Sequence, residues 1–106
     1  MLISVHNRGP EAARIHLLPQ LWFRNTWSWK TEAARPELSA AGTGRIRVRH
    51  AELGEYHCSC DGSPALLFCD NDTNVRRHFG ERNAQGYFKD AFHDYLMSGI
   101  ESAVNP

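Results

Sequence analysis

A chain of 106 residues is one domain or a piece of one, too small to enclose a large catalytic cavity, because chains of this size bury only about 60–68% of their unfolded surface. Twelve basic side chains balance twelve acidic ones, so no net field draws the chain to nucleic acid or an anionic membrane, and the basic residues bunch only at Arg45, Arg47 and Arg49. No run approaches the ~20 apolar residues of a membrane span, residues 1–6 lack the basic lead and apolar stretch of a signal peptide, and three cysteines make no secreted disulfide framework; a soluble, cytoplasmic chain with reduced thiols is the expectation.

Ile3 and Val5 alternate with Ser4 and His6, Asn7-Arg8-Gly9-Pro10-Glu11 supplies turn chemistry, and Ala13 to Leu18 resumes an extended apolar pattern that ends at Pro19. This pattern predicts a β-hairpin. Pro19 has no amide donor, so the strand bulges there or lies at an edge, and Gln20 to Trp29 continues as a second extended piece. Lys30 to Gly44 is polar and carries Pro36, Gly42 and Gly44, which predicts a long loop of the kind associated with an insertion or a functional excursion.

Arg45 to His50 alternates strictly, with Ile46, Val48 and His50 on one face and the three arginines on the other, as a strand with one wet face requires. Gly54 turns the chain into Glu55 to Cys60, and Asp61-Gly62-Ser63-Pro64 turns it again into a third strand, Ala65 to Cys69. Beyond this point alternation stops. Asp72 or Thr73 caps a short predicted helix ending at Gly80, and a second runs from about Tyr87 to Ser98 before Gly99, with Phe88, Ala91, Phe92, Tyr95 and Leu96 at helical spacing. The expected fold is therefore mainly β with C-terminal helices, α+β by content: an antiparallel, β-sandwich-like meander of five to six strands followed by two short helices. It forms a single domain or partial domain, with strands and the 30–44 loop in residues 1–70 and the helical segment in residues 71–106. Met1 enters directly into a strand and Ala103-Val104-Asn105-Pro106 leaves the last helix without a closing element, so partner strands are expected to be missing and exposed edges to promote self-association.

Two aromatic-rich clusters bear chemistry. If residues 22–29 are extended, Phe23, Asn25, Trp27 and Trp29 share one face, and Trp22, Arg24, Thr26 and Ser28 the other. Indoles two apart can stack on the apolar face of a sugar ring while Arg24 or Asn25 reaches hydroxyls. The competing reading is a core anchor, since each Trp buries about 150–250 Å², worth roughly 4–6 kcal/mol, against a whole-domain stability of about 5–15 kcal/mol. On the last helix Asp90, His93 and Asp94 lie at i, i+3 and i+4, where a carboxylate–imidazole pair can polarise a hydroxyl or bind a metal; the solvated face of an amphipathic helix has the same pattern. Lys89 adjoins this group.

Cys58, Cys60 and Cys69, with His50 or His57, raise the question of zinc. Structural zinc sites draw cysteines from tight knuckles, and Cys-x-Cys on a strand has the wrong geometry, so buried free thiols and no metal are expected. Asn71-Asp72-Thr73 matches the N-glycosylation sequon, a pattern common by chance. No nucleophile elbow, phosphate loop, Rossmann glycine pattern or His-Glu-x-x-His occurs, and no cofactor is expected.

Several segments carry a resemblance. They are Asn7-Arg8-Gly9-Pro10-Glu11-Ala12-Ala13, His16-Leu17-Leu18-Pro19 with Leu21-Trp22-Phe23-Arg24-Asn25-Thr26-Trp27-Ser28-Trp29, Leu66-Leu67-Phe68, Asn71-Asp72-Thr73-Asn74, Phe79-Gly80, Asn83, Lys89-Asp90-Ala91-Phe92-His93-Asp94-Tyr95 and Ala103-Val104-Asn105-Pro106. In these the chain resembles bacterial members of glycoside hydrolase family 63, the mannosyl-oligosaccharide glucosidase-like proteins, over most of its length except Lys30 to Gly44. The resemblance implies a position within a longer enzyme, in which an N-terminal β-sandwich packs on an (α/α)6 barrel carrying the two acidic residues of an inverting mechanism. An inverting pair stands roughly 6.5–9.5 Å apart with water between, and no residue of this chain matches either member. The expectation is a non-catalytic segment of the sandwich region that supports or lines the carbohydrate site of the barrel. Trp22, Arg24, Asn25, Trp27, Trp29, Lys89, Asp90, His93 and Asp94 are its candidate oligosaccharide contacts. The alternative is a free-standing carbohydrate-binding module in which Trp27 and Trp29 form an exposed platform.

Overall fold

The alternating stretch expected at Arg45 to His50 is the centre of the molecule. In a computed structural model that describes residues 1–29 and 33–105, it forms strand β2, Arg45–His50, between β1, Glu37–Ala40, and β3, Gly54–Ser59, in a three-stranded antiparallel sheet. The register sets Leu38 opposite Val48 and Val48 opposite Tyr56, with Ala40, Ile46 and Cys58 as the next row. These side chains share one face, where Val48 is 2% exposed and the ring of Phe23 tilts over that of His50 at 5.0 Å. On the opposite face Arg49 sits between Glu37, at 3.9 Å, and Glu55, at 3.4 Å. All three side chains are about half exposed, so each pair contributes at most about 1 kcal/mol.

Turn chemistry closes the sheet. His50 Nδ1 accepts from the amides of Glu52 and Leu53, both at 3.2 Å, and orders the β2–β3 turn. At the other end Gly44 has φ +62° and is buried against the Cys60 carbonyl, which a Cβ would meet at 2.8 Å; its own carbonyl accepts from the Cys60 amide at 2.8 Å.

After the sheet come helices α1, Val75–Phe79, and α2, Ala91–Ser98. Asn74 caps α1 by accepting from the Arg77 amide at 3.1 Å, and Gly80 and Gly99, both left-handed, end the two helices. Asn74 therefore occupies the position that the sequence assigned to Asp72 or Thr73. Helix α2 starts at Ala91 and not near Tyr87; residues 87–90 lead into it, with the Asp70 and Tyr87 backbones bonded to each other. Phe88, Ala91 and Val104 are at most 7% exposed and make a second small core. Backbone bonds in both directions between Phe68 and Asn105 hold the chain beyond α2 against residues 65–69.

The result is a small α+β fold, with three strands in place of five or six. Among the described residues, 1–29 contain no strand, only a short 3-10 turn at Trp27–Trp29; the expected hairpin has no third strand to stabilise it, and an isolated two-stranded hairpin is marginal in water. Residues 65–69 contribute the single Phe68 bridge in place of a third meander strand. The expected loop of residues 30–44 in fact contains β1, whose pairing with β2 overrides an unremarkable local sequence; its residues 30–32 lie outside the described residues.

The chain also leaves unusual area in water. Its accessible surface is 8976 Å², against about 6,000 Å² for a stable monomer of this mass, and its radius of gyration is 16.4 Å against about 13 Å. Many exposed large apolar side chains lie in residues 1–22: Met1, Leu2, Ile3, Val5, Ile15, Leu17, Leu18, Leu21 and Trp22. Among the described residues no helix is long and apolar enough to cross a membrane.

Candidate functional site

The two aromatic clusters lie more than sixty positions apart in the chain, yet a single loop, residues 70–74, touches both. Asn71 Nδ2 donates to the Phe23 carbonyl at 2.7 Å, and Asn25 Nδ2 returns a bond to the Asn71 carbonyl at 3.1 Å and reaches Asp72 Oδ1 at 3.4 Å. Asn25 Oδ1 then accepts from the Ser28 amide at 3.2 Å and starts the turn that carries Trp27 and Trp29. Arg35 fastens the same loop, 3.1 Å from Asp72 and 3.8 Å from Asp70, while its guanidinium lies 5.8 Å from the Trp27 ring.

On the other side of the loop, the Lys89 amide donates to the Asp72 carbonyl at 3.0 Å and its ammonium to Thr73 Oγ1 at 3.2 Å. Asn74, 9% exposed, donates through Nδ2 to both oxygens of Asp90 at 3.1 and 3.2 Å. Arg77 then straddles the two carboxylates of the second cluster, 2.5 Å from Asp90 and 2.7 Å from Asp94. The bond to Asp94, then the charge of Asp90, hold that guanidinium more firmly protonated than usual. A hollow of about 30 Å³ beside Asn74, Phe88, Asp90 and Asp94 is room for a water or two. A ligand pocket takes several hundred Å³.

Asp72, Asp90 and Asp94 are therefore all engaged by cations or amides of their own chain. Each serves as a strut between segments of the chain. His93 is exposed on α2, and no hydrogen bond joins its imidazole to Asp90 or Asp94 among the described residues. Of the two readings of this face, the Asp–His pair is not formed among the described residues; Arg77 reaches across from α1 to both carboxylates.

The indoles separate into two kinds. Trp27 is half-buried, and its Nε1 is shielded from solvent with no hydrogen-bond partner among the described residues, a cost that a buried indole usually avoids. Trp22 and Trp29 are 65% and 68% exposed, and Arg24 stacks on the Trp29 ring at 5.3 Å. The turn at residues 27–29 replaces the strand geometry that the alternative reading, a Trp27–Trp29 platform, relies on. Among the nine candidate contacts, Trp22, Arg24, Trp29, Lys89 and His93 are accessible, and Asn25, Trp27, Asp90 and Asp94 are half-buried.

Cys69 is not on a hairpin partner of Cys58 and Cys60, and among the described residues no three His, Cys, Asp or Glu side chains gather as a metal site. Burial, then the charges of Asp70 and Asp90, raise the Cys69 pKa. The sequon asparagine, Asn71, has its amide committed to the Phe23 carbonyl. The residues missed in the sequence are Arg35, Asn74 and Arg77. Asn74 was legible as an Asn directly before a helical run that ends at glycine, whereas Arg35 and Arg77 carry no local signal.

The chain is similar to an uncharacterized protein of Saccharomyces cerevisiae, 30% identical over 131 aligned positions that take in 98% of this chain and 12% of that protein. The chain thus spans about an eighth of the length of the curated relative it matches, and the aligned stretch, being longer than the chain, contains insertions in the relative. No protein-family model matches the chain, and no solved structure does.

Proposed function

We propose that this chain is a non-catalytic β-sheet segment of a glucosidase-like glycoside hydrolase, which supports or lines the carbohydrate site of a separate (α/α)6 catalytic barrel. The observation that carries the reading is the surface left in water: a total accessible area about 3,000 Å² beyond that of a stable monomer of this size, with large apolar side chains such as Leu2, Ile15, Leu17 and Trp22 exposed within it. A surface of that extent belongs to something that covers it. The match within a far longer relative supports a larger protein, and the resemblance of Leu21 to Trp29 and Lys89 to Tyr95 to glucosidase-like proteins supplies its chemistry. The 70–74 loop ties those two motifs together, leaving Trp22, Arg24 and Trp29 free to face a sugar or the barrel. The finer architecture follows: residues 1–29 and 65–69 take up the remaining strands of a sandwich when the rest of the enzyme is present.

The test compares the isolated chain with the intact long relative on a panel of glucose-terminated oligosaccharides. Glucose release by the long protein and none by the isolated chain is the expected result. Turnover by the isolated chain that is abolished in Asp90→Asn or Asp94→Asn refutes a non-catalytic role, and inactivity of the long protein on every glycan refutes the glycosidase assignment.

The exposure of Trp22 and Trp29 favours a second reading, a carbohydrate-binding module. Tryptophan emission separates the two. A red-shifted spectrum that moves on addition of oligosaccharide to the isolated chain favours the module, and an unresponsive one favours the segment.

A further inference from the structure

Residues 1–22 hold nine exposed large apolar side chains, from Met1 to Trp22, and their side chains order one turn. Asn7 Oδ1 accepts from the Gly9 amide at 2.9 Å, and Asn7 Nδ2 donates to the Glu11 carbonyl at 2.8 Å. Among the described residues no backbone bond joins residues 1–6 to residues 12–22. A five-residue loop over 7–11 is a standard hairpin length, and with His6 opposite Ala12 the register runs Val5 to Ala13, Ile3 to Ile15 and Met1 to Leu17. That register places Met1, Ile3, Val5, Ala13, Ile15 and Leu17 on one face, every one apolar and every one exposed. The other face is mixed, with Ser4, His6, Arg14 and His16 beside Leu2, Ala12 and Leu18. A slip by one residue would destroy this segregation.

We infer that the Asn7–Glu11 turn is the preformed corner of a β-hairpin whose two arms close only on docking, with residues 1–6 adding to the edge of a β-sheet in the remainder of a longer polypeptide. This rests on the proposed function only in needing that longer polypeptide, not in its being a glycosidase. Three observations select the occupant. The matched relative is about eight times longer than the aligned stretch. The whole chain's accessible surface exceeds that of a stable monomer by about 3,000 Å², more than the ~800 Å² per partner of an ordinary association, which favours a permanent neighbour over a transient one. Residues 1–6 contain no proline, whereas Pro10 and Pro19 bracket the second arm, so the first arm has the uninterrupted row of donors that strand addition requires.

Amide hydrogen exchange tests the idea. In the isolated chain, residues 2–6 and 12–18 exchange at close to unprotected rates. In the intact long relative the aligned stretch exchanges on the order of 100-fold or more slower, the protection of even a modestly stable strand. Absence of protection there overturns the inference. So does protection in the isolated chain accompanied by a doubled mass, which identifies a second copy as the occupant. A second measurement needs only this chain: Val5→Pro leaves exchange at Arg45–His50 unchanged if the arms are free, and accelerates it if they already support the sheet. Oligosaccharide turnover by the same long protein is read separately, so failure of the glycosidase assignment and failure of the docking inference are distinguishable.

Discussion

Replacing Asn74 separates the two tasks that one buried amide performs. Its Oδ1 caps α1 and its Nδ2 holds both oxygens of Asp90. Loss of a cap costs about 1 kcal/mol, and loss of a hydrogen bond to a charged group about 1.5–3 kcal/mol. Because the Asp90 side chain is 26% exposed, water replaces part of the second contribution and the lower end applies. Asn74→Ala is then worth about 2.5 kcal/mol, a roughly 70-fold rise in local opening, whereas Asn74→Ser retains a capping oxygen and is worth about 1.5 kcal/mol, a roughly 12-fold rise. Native-state exchange at the amides of His78 and Gly80, which donate to the Asn74 and Arg76 carbonyls, reports α1 opening directly. Equal rates for the Ala and Ser variants would show that the cap contributes nothing, and wild-type rates in both would refute the account of this joint.

Val48→Ala removes two methyl groups from the most enclosed position of the sheet, for about 2 kcal/mol with the residual cavity included. At a urea slope of about 1 kcal/mol/M the midpoint falls by about 2 M, while Leu53→Ala, at a site 55% exposed, stays within about 0.5 kcal/mol of wild type. Gly44→Ala forces a Cβ to within 2.8 Å of the Cys60 carbonyl at a left-handed φ, so it destabilises the sheet by more than the ~1 kcal/mol of the backbone preference alone, read from the same urea curves. The burial and negative neighbours that raise the Cys69 pKa leave less thiolate at a given pH. Its alkylation, followed by peptide mapping, is therefore slower than that of exposed Cys60 at pH 8 and rises at more alkaline pH.

What was legible in the sequence was what local pattern decides. Strict alternation identified β2, and Gly54 with the following alternation identified β3. The glycines at 80 and 99 marked both helix ends, because a left-handed residue is needed there whatever packs nearby. Glu37–Ala40 has a single large apolar residue and follows a proline, so nothing local marks it as a strand; it is one because β2 offers it an edge. The opposite failure occurred in residues 1–18, where alternation is good but no neighbouring strand rewards it. Within the candidate site both motif clusters were visible, and their connection was not. Asn25 reaches Asn71 and Arg35 reaches Asp72 across dozens of residues, and Arg77 displaces His93 as the partner of Asp94 only because the Asn74 cap aims α1 at α2.

The bond from Asn71 to the Phe23 carbonyl leaves its sequon no room to be used in the folded chain. In a lumen equipped for N-linked glycosylation, oligosaccharyl transfer to Asn71 would have to precede folding, and the attached glycan would then stand where the tryptophan-bearing segment must settle against the 70–74 loop. An attached glycan and the Asn71–Phe23 bond are thus mutually exclusive.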